Sequence, residues 1–177
     1  MSTNKHSMNF ASSTSYPSCD TIELFSKRSL PGGPKFQKGG FRLEHAFYKA
    51  LPSEISENIK LNVTYRSDSG SIVAEYDMLY INEITRQIIS FEIKGVNAKT
   101  LCDRRRRSAI IRQGIKQKQI LLSVYPDYYV TCIYCFVTGK STDSIDPEFI
   151  REILSCDINV ATGDTPQQCA HAALELF

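Results

Sequence analysis

The fold of this chain and its candidate chemistry are both encoded in residues 72–94, which read IVAEYDMLYINEITRQIISFEIK. Two runs rich in β-branched and aromatic residues flank a polar tip at 82–87, a pattern typical of a β-hairpin. Pairing about that tip sets Tyr80 beside Ile89. Further from the tip, the same register brings an aspartate of the first strand beside a glutamate of the second.

Strand alternation assigns the two faces of this hairpin. One face carries Ile89, Phe91 and Ile93, the other carries Ser90, Glu92 and Lys94, and Asp77 shares its face with Glu75 and Leu79. Asp77, Glu92 and Lys94 therefore converge at one end of an otherwise apolar hairpin. Paired acids on central strands are costly unless they are compensated. A divalent cation bound by oxygen ligands would compensate the charge of the two acids, and the lysine would bind or deprotonate a nearby water.

Asp77 followed by Glu92-Ile93-Lys94 resembles the active-site signature of the PD-(D/E)xK nuclease superfamily. The segments that carry the resemblance are EYD at 75–77 and FEIKG at 91–95. The resemblance covers roughly residues 40–138. It implies an α/β fold with a mixed central sheet flanked by helices, built on a restriction-endonuclease-like αβββαβ core. A C-terminal α/β extension would follow that core.

The resemblance also implies a metal site and a reaction. Asp77 and Glu92 would hold Mg²⁺ or Mn²⁺ with the backbone carbonyl of Ile93, and Lys94 would activate the attacking water. Many members place a further acid on the helix before the strands, which selects Glu44 here. The neighbouring His45 is the alternative, because viral cap-snatching endonucleases often use a histidine at a similar point.

Further residues indicate which subfamily of this superfamily the chain resembles. The proline expected before the motif aspartate is Tyr76, as in many resolvase-like members that lack this proline. Gln113 and Gln117 are candidates to reach the site, but the Q-x-x-x-Y pattern of RecB-like exonucleases is absent. A resolvase-like or viral-endonuclease-like member is therefore favoured, as an endonuclease, although the sequence does not decide between endo- and exonuclease action.

A basic segment follows the motif. Between 99 and 118 there are eight basic residues and one acid, Asp103. The candidates for nucleic-acid contact are Lys99, Arg104, Arg105, Arg106, Arg107, Arg112 and Lys116. Positive charge beside an acidic metal site fits a polyanionic substrate, DNA or RNA. For the four consecutive arginines, a nuclear-import signal or a solvated helical turn remains an alternative.

The 177 residues suit one domain, expected over 21–177, after a loosely packed or disordered arm at 1–20 rich in Ser, Thr and Asn. Glycine and proline predict turns or loops across 21–40. Beyond the hairpin we expect helices at 41–51, 104–125, 148–154 and 166–177, and strands at 61–65, 129–137 and 158–161.

Six cysteines raise the alternatives of zinc or disulfides. Cys132 and Cys135 form a C-x-x-C motif within YVTCIYCFV, an apolar run typical of a buried strand. Residues three apart on a strand face opposite sides, so this pair is expected to remain as buried, reduced thiols.

Several functions are disfavoured by what the sequence lacks. There is no phosphate-binding G-x-x-x-x-G-K, no G-x-S-x-G and no H-E-x-x-H. No apolar run is long enough for a membrane span or a secretory signal, so we expect an intracellular protein of the cytoplasm or nucleus without a membrane partner. A non-catalytic nucleic-acid-binding or protein-interaction module on the same fold is the alternative to the nuclease, and a homodimer stays open.

Overall fold

The computed structural model describes residues 21–24, 35–96, 103–139 and 145–177. The strands within these ranges are β1 Thr21–Leu24, β2 Ile59–Arg66, β3 Ile72–Asn82, β4 Gln87–Gly95, β5 Tyr129–Val137 and β6 Asn159–Gly163. The helices are α1 Lys35–Tyr48, α2 Ser53–Ser56, α3 Arg104–Val124, α4 Pro147–Ser155 and α5 Pro166–Leu174. Helices and strands alternate through the second half of the chain, as predicted.

The six strands form one sheet in the order β1-β2-β3-β4-β5-β6. Strands β1 to β4 are antiparallel neighbours, whereas β4, β5 and β6 run parallel. Parallel neighbours need a long crossover, and α3 and α4 supply the two that occur here. The fold is therefore α/β with a mixed sheet, as the sequence predicted.

The β3–β4 hairpin has the predicted register. Tyr80 pairs with Ile89, and Asn82 pairs with Gln87. The Asn82 carboxamide oxygen accepts hydrogen bonds at 3.0 Å from the backbone N–H groups of both Ile84 and Thr85, which closes the tip as an Asx turn. Arg86 takes a positive φ of 50° before β4 begins. Local turn chemistry thus fixes the register that brings Asp77 towards Glu92.

Two hydrophobic clusters cover the two faces of the sheet. The α3-side cluster includes Leu79, Ile88, Leu121, Tyr134, Phe136, Phe149 and Ile153. The α1-side cluster includes Phe47, Ile89, Phe91, Ile93, Ile133, Ala170 and Ala173. The predicted grouping of Ile89, Phe91 and Ile93 is confirmed. Strand β5 contributes to both clusters, which explains its nearly continuous apolar sequence.

The C-x-x-C motif spans the two clusters. Cys132 belongs to the α3-side cluster and Cys135 to the α1-side cluster, and both are buried free thiols. The two sulfurs therefore lie on opposite faces of β5. The prediction that Cys132 and Cys135 are buried thiols on opposite sides of one strand is confirmed.

Regular alternation breaks in β3 at Asp77, contrary to the simple assignment of faces. Tyr76 packs in the α3-side cluster and Met78 in the α1-side cluster, although residues two apart on a regular strand share a face. On β2, Asn62 lies between the pairs Leu61–Met78 and Val63–Tyr76 and has φ 52°. Asparagine tolerates this left-handed conformation better than most residues. The side chains of β2 and β3 therefore switch between the two faces of the sheet at this point.

The N-terminal part of the described chain also differs from expectation. Residues 21–40 were predicted to be turns or loops, but β1 pairs with the edge of β2 and α1 begins at Lys35. Strand pairing is a non-local interaction that local sequence does not reveal, and glycine weakens a helix without forbidding it. The predicted arm at 1–20 lies outside the described residues. One domain over 21–177 stays a prediction.

In the part of the chain that the structure covers, no helix combines the length and apolar character that a membrane crossing requires.

Helix α3 approaches the sheet closely at Gly114. A Cβ added there would lie 2.8 Å from Ile158 Cδ1 and 2.8 Å from Tyr134 Cε2. A helix interior normally disfavours glycine by about 1 kcal/mol relative to alanine, so the close contact gives this glycine a structural reason. The tyrosine hydroxyl also donates a 2.6 Å hydrogen bond to the Ile110 carbonyl of α3.

We expect Gly114→Ala to lower the free energy of unfolding by about 1–2 kcal/mol, because overpacking outweighs the better helix propensity. Urea denaturation at constant m-value measures the change. Ile158→Val removes the Cδ1 atom that an added Cβ at position 114 would approach. By itself this substitution should lower the free energy of unfolding by about 1 kcal/mol. The double variant should therefore lose less stability than the sum of the two. A Gly114→Ala protein more stable than the wild type would contradict the close approach.

Candidate active site

Asp77 ends the hydrogen-bonded pairing of β3 with β4. The last registered pair before it is Met78 with Phe91. Beyond that pair, Asp77 Oδ2 accepts a 2.8 Å hydrogen bond from the backbone N–H of Ile93. The Asp77 side chain thus replaces a backbone hydrogen bond between the strands, at the point where the side chains of β3 switch from one face of the sheet to the other. This contact holds the Asp77 carboxylate against the Glu92-Ile93-Lys94 segment.

Glu92 is a buried acid, with a residue exposure of 7%. Its Oε1 accepts hydrogen bonds from Lys94 Nζ and, at 2.9 Å, from Gln113 Nε2. Its Oε2 accepts one from Gln117 Nε2 at 2.9 Å. A carboxylate without partners would be costly at this depth, so these donors allow its burial. Gln113 and Gln117 therefore reach Glu92, in agreement with the expectation from the sequence.

Lys94 lies among three carboxylates. Burial alone would lower the pKa of its ammonium group. The charge of Glu92 and the hydrogen bond to it, followed by the charges of Asp77 and Glu44, outweigh burial and raise this pKa. Lys94 is therefore held as a cation at the end of β4.

Glu44 lies on α1 near enough to act on both Asp77 and Lys94 through its charge. Its neighbour His45 is exposed. The helix comes close to the end of β4 at Gly95, where an added Cβ would lie 3.3 Å from Leu43 Cδ2. Of the two candidates on this helix, Glu44 is the one directed towards the other acids. Its role as a metal ligand stays a prediction.

The site carries more negative than positive charge. Burial, followed by the charges of Glu92 and Glu44, raises the pKa of Asp77 from 3.8 to about 8, against opposing effects from Lys94 and the Ile93 N–H. One lysine therefore does not neutralise the three acids. A bound cation would favour the ionised form of Asp77.

The donor set suits a hard divalent cation. It comprises carboxylate oxygens of Asp77, Glu92 and Glu44 together with the Ile93 carbonyl, and Mg²⁺ and Mn²⁺ prefer oxygen ligands. Among the residues that the structure describes, no group of three or more His, Cys, Asp or Glu side chains stands close enough to hold one ion. The excess negative charge fits a cation, while binding would require Glu92 or Lys94 to adjust its present contact.

The predicted nucleic-acid residues are arranged along α3. Arg104, Arg105 and Arg106 are exposed in its first turn, and the Asp103 side chain caps the helix by accepting a 2.9 Å hydrogen bond from the Arg105 N–H. Acid at this end offsets part of the unfavourable interaction between arginine and the helix dipole. Lys99 lies outside the described residues.

Arg107 contacts the protein itself. Its Nη1 donates a 2.6 Å hydrogen bond to Asp146 Oδ2, and its guanidinium carbon lies 5.4 Å from the centre of the Phe149 ring. Asp146 also caps α4 by accepting a hydrogen bond from the Glu148 N–H. Arg107 therefore joins the first turn of α3 to α4, which makes it a weaker candidate for phosphate contact than its three neighbours.

Arg112 and Lys116 form an exposed pair one helical turn apart. Each immediately precedes a glutamine that contacts Glu92, namely Gln113 and Gln117. Adjacent helical positions are about 100° apart around the axis. The basic pair therefore runs alongside the glutamine pair, on the part of α3 nearest the acidic site.

Two residues of the site's framework were not identified from sequence. The sequence marks Tyr76 only as a departure from the proline of the motif that the chain resembles, and it assigns no role to Gly114. Tyr76 contacts α3 through its hydroxyl, and Gly114 permits the close packing of that helix. A glycine inside a helix that is otherwise strongly predicted was the available signal for the second.

The chain matches no protein-family model, and no curated protein is similar to it at a significant level.

In the absence of metal we expect Asp77→Asn to be more stable than the wild type at alkaline pH. A carboxyl group whose pKa is higher in the folded protein binds its proton more tightly there. Its stabilising contribution is present below about pH 4 and is lost as the pH rises through about 8. From pH 5 to pH 9 the wild type should lose about 2–4 kcal/mol relative to Asp77→Asn.

Urea denaturation in EDTA at several pH values measures this difference. Glu83→Gln is the matched control, because it removes an exposed carboxylate at the hairpin tip. Parallel pH profiles for the wild type and Asp77→Asn would contradict the buried, repelled state of this acid.

Proposed function

We propose that this protein is a metal-dependent nuclease of the PD-(D/E)xK type that hydrolyses phosphodiester bonds in DNA or RNA. The observation that carries the proposal is the meeting of Asp77, Glu92 and Lys94 at the end of β4, where Asp77 accepts the Ile93 N–H. These residues match the motif positions of the superfamily. An endonuclease is favoured over an exonuclease.

The order of elements supports the proposed family. Helix α1, strands β2 to β4, helix α3 and strand β5 follow the αβββαβ order expected for a restriction-endonuclease-like core, apart from the single-turn α2. Helix α4, strand β6 and helix α5 then form the proposed C-terminal extension. In such a core the acids lie on the central strands, as Asp77 and Glu92 do here.

Asp77, Glu92 and the Ile93 carbonyl would hold Mg²⁺ or Mn²⁺, with Glu44 as the further acid. When bound, the ion would polarise the scissile phosphate and lower the pKa of a water molecule. Lys94 would orient the attacking water through its ammonium group and stabilise charge that develops on the phosphate oxygens. Gln113 and Gln117 would keep the Glu92 carboxylate in one orientation while this occurs.

Exposed basic residues of α3 would hold the nucleic-acid backbone. Arg112 and Lys116 flank the glutamines that contact Glu92, so a phosphate bound there would lie near the acids. Arg104 to Arg106 extend this positive surface to the start of the helix. Contacts of this type position a substrate without reading its sequence.

A non-catalytic nucleic-acid-binding module is the second candidate. The observation that favours it is the present arrangement of the acids, since Lys94 donates to Glu92 and, in the described part of the chain, no three ligand side chains are spaced for one ion. A nuclease would cleave with Mn²⁺ and stop in EDTA. A binding module would retain nucleic acid equally well in both.

We expect Glu92→Gln and Lys94→Met each to reduce cleavage by at least about 100-fold, since each removes one charged group of the reaction. Glu44→Gln should reduce cleavage by about tenfold or more. His45→Gln, on the adjacent exposed position, should remain within about twofold of the wild type and is the matched control. Single-turnover rates on single- and double-stranded DNA and RNA with Mn²⁺ measure these effects.

Circular dichroism and thermal unfolding check that each variant is folded. Full activity in Glu92→Gln or Lys94→Met, on a substrate that the wild type cuts, would remove the catalytic assignment. Loss of activity in His45→Gln with retention in Glu44→Gln would exchange the roles of these neighbours.

We also expect the basic surface to bind through ionic interactions. Replacing Arg104, Arg105 and Arg106 with Gln, or Arg112 and Lys116 with Gln, should weaken binding across all sequences. The slope of log affinity against log salt should fall by roughly one for each ion pair with a phosphate that the substitutions remove. Fluorescence anisotropy at several salt concentrations measures that slope.

Two control variants separate binding from structure. Arg107→Gln breaks the ion pair with Asp146, so it should lower the melting temperature more than it changes the salt slope. Lys60→Gln removes an exposed cation on β2 and should change neither property. Unchanged affinity and slope in both multiple variants would assign the basic segment to a solvated helical turn or a targeting signal.

A further inference from the structure

Tyr76 makes a buried contact that links β3 to α3. The residue is 2% exposed, and its hydroxyl donates a 2.7 Å hydrogen bond to the backbone carbonyl of Gln117. Its ring packs edge-to-face against Tyr65 at 5.5 Å between centroids. Because Gln117 lies well inside α3, this hydroxyl is a second donor to a carbonyl already placed for the helix's own hydrogen bonding.

The side chain of the same glutamine joins two strands. Gln117 Nε2 donates to the Glu75 carbonyl of β3 at 2.6 Å and to Glu92 Oε2 of β4 at 2.9 Å. An amide nitrogen has two hydrogens, so these two hydrogen bonds use both. One residue of α3 is therefore fixed through its backbone by Tyr76 and through its side chain by the strands on which the proposed ligands lie.

Tyr76 also precedes Asp77 at the point where β3 changes face. Its side chain enters the α3-side cluster, while Met78 enters the opposite one. The position of this tyrosine thus bears on both acids: on Asp77 through the adjacent peptide unit, and on Glu92 through Gln117. The ring contact alone would fill space, whereas the hydroxyl adds a directional constraint.

We propose that Tyr76 is a positioning residue, whose hydroxyl fixes Gln117 so that its amide holds the Glu92 carboxylate in the orientation needed to bind the metal ion. This inference rests on the proposed nuclease function and extends it to a residue that touches neither substrate nor metal. Partners that orient ligating groups in this way typically affect metal affinity or activity by about 10- to 100-fold when they are removed.

Tyr76→Phe tests the role of the hydroxyl, because it keeps the ring and its contact with Tyr65. We expect kcat to fall about tenfold and the Mn²⁺ concentration for half-maximal activity to rise several-fold. KM for the nucleic acid should stay within about twofold, since the basic surface is unchanged. Calorimetric titration with Mn²⁺ alone should show the same reduction in affinity.

Tyr134→Phe is the matched control. This tyrosine is also buried, at 1% exposure, and its hydroxyl also donates to a backbone carbonyl of α3, that of Ile110, at 2.6 Å. Tyr134 lies opposite Glu92 on β5, but its hydroxyl holds Ile110, which makes no hydrogen bond to Glu92 among the described residues. The control should therefore change the melting temperature by a similar amount while leaving kcat and the Mn²⁺ midpoint within about twofold. Equal kinetic losses in both tyrosine variants would overturn the proposal.

A double-mutant cycle tests whether Tyr76 acts through Gln117. Gln117→Met removes the amide at similar side-chain volume. In this background Tyr76→Phe should change kcat less than twofold, because the hydroxyl then positions no donor. Independent, multiplicative losses would overturn the proposed route, as would wild-type kcat and Mn²⁺ affinity in Tyr76→Phe alone.

Measurements on the wild type and on Tyr76→Phe test the proposed function and the role of Tyr76 separately. A wild-type protein that neither binds Mn²⁺ nor cleaves nucleic acid would overturn the proposed function and the role of Tyr76 with it. A wild type that does both, beside a Tyr76→Phe variant with unchanged kinetics, would overturn the role of Tyr76 alone.

Discussion

The burial of the Glu92 carboxylate is the constraint on which the rest of this structure depends. A charged group between β4 and α3 is tolerable only if donors reach it, and the helix must approach the sheet closely to supply them. Gln113 and Gln117 provide those donors, and Gly114 between them leaves room for the ring of Tyr134. The positions of Gln113, Gly114 and Gln117 on α3 therefore allow a hydrogen-bonded acid to be buried between the helix and the sheet.

Asp77 lies where burial and neighbouring charges oppose its ionisation. This carboxylate has one backbone donor and two acidic neighbours, so it is ionised in the folded protein only at an energetic cost. Three side-chain donors compensate the charge of Glu92, whereas burial and the charges of Glu92 and Glu44 oppose the ionisation of Asp77, although the two acids lie beside each other on paired strands. Such an arrangement lowers stability where it prepares a group for binding, a pattern common at functional sites. The difference between the two acids is the structural basis for proposing a cation here.

Much of this framework could be predicted from the sequence because its signals are local. The turn at Asn82 sets the hairpin register, and apolar periodicity identifies α3 and β5. The change of face at Asp77 could not be predicted, since it depends on a left-handed Asn62 on the neighbouring strand. Likewise, the partner of Arg107 lies 39 residues away, so its structural role is invisible in a run of arginines. Non-local contacts account for these differences.

Helix α3 carries both the glutamines and the basic residues to which the proposed function assigns a role. Its glutamines face the acid, and its exposed cations run beside them at an angle of about 100° around the same axis. The hydroxyls of Tyr76 and Tyr134 fix the backbone of this helix at Gln117 and Ile110. A rigid helix so held would place a bound phosphate at a constant distance from Glu92. In the proposed nuclease, substrate binding and carboxylate orientation would be mechanically linked, because a shift of α3 would move both the cations and the amides.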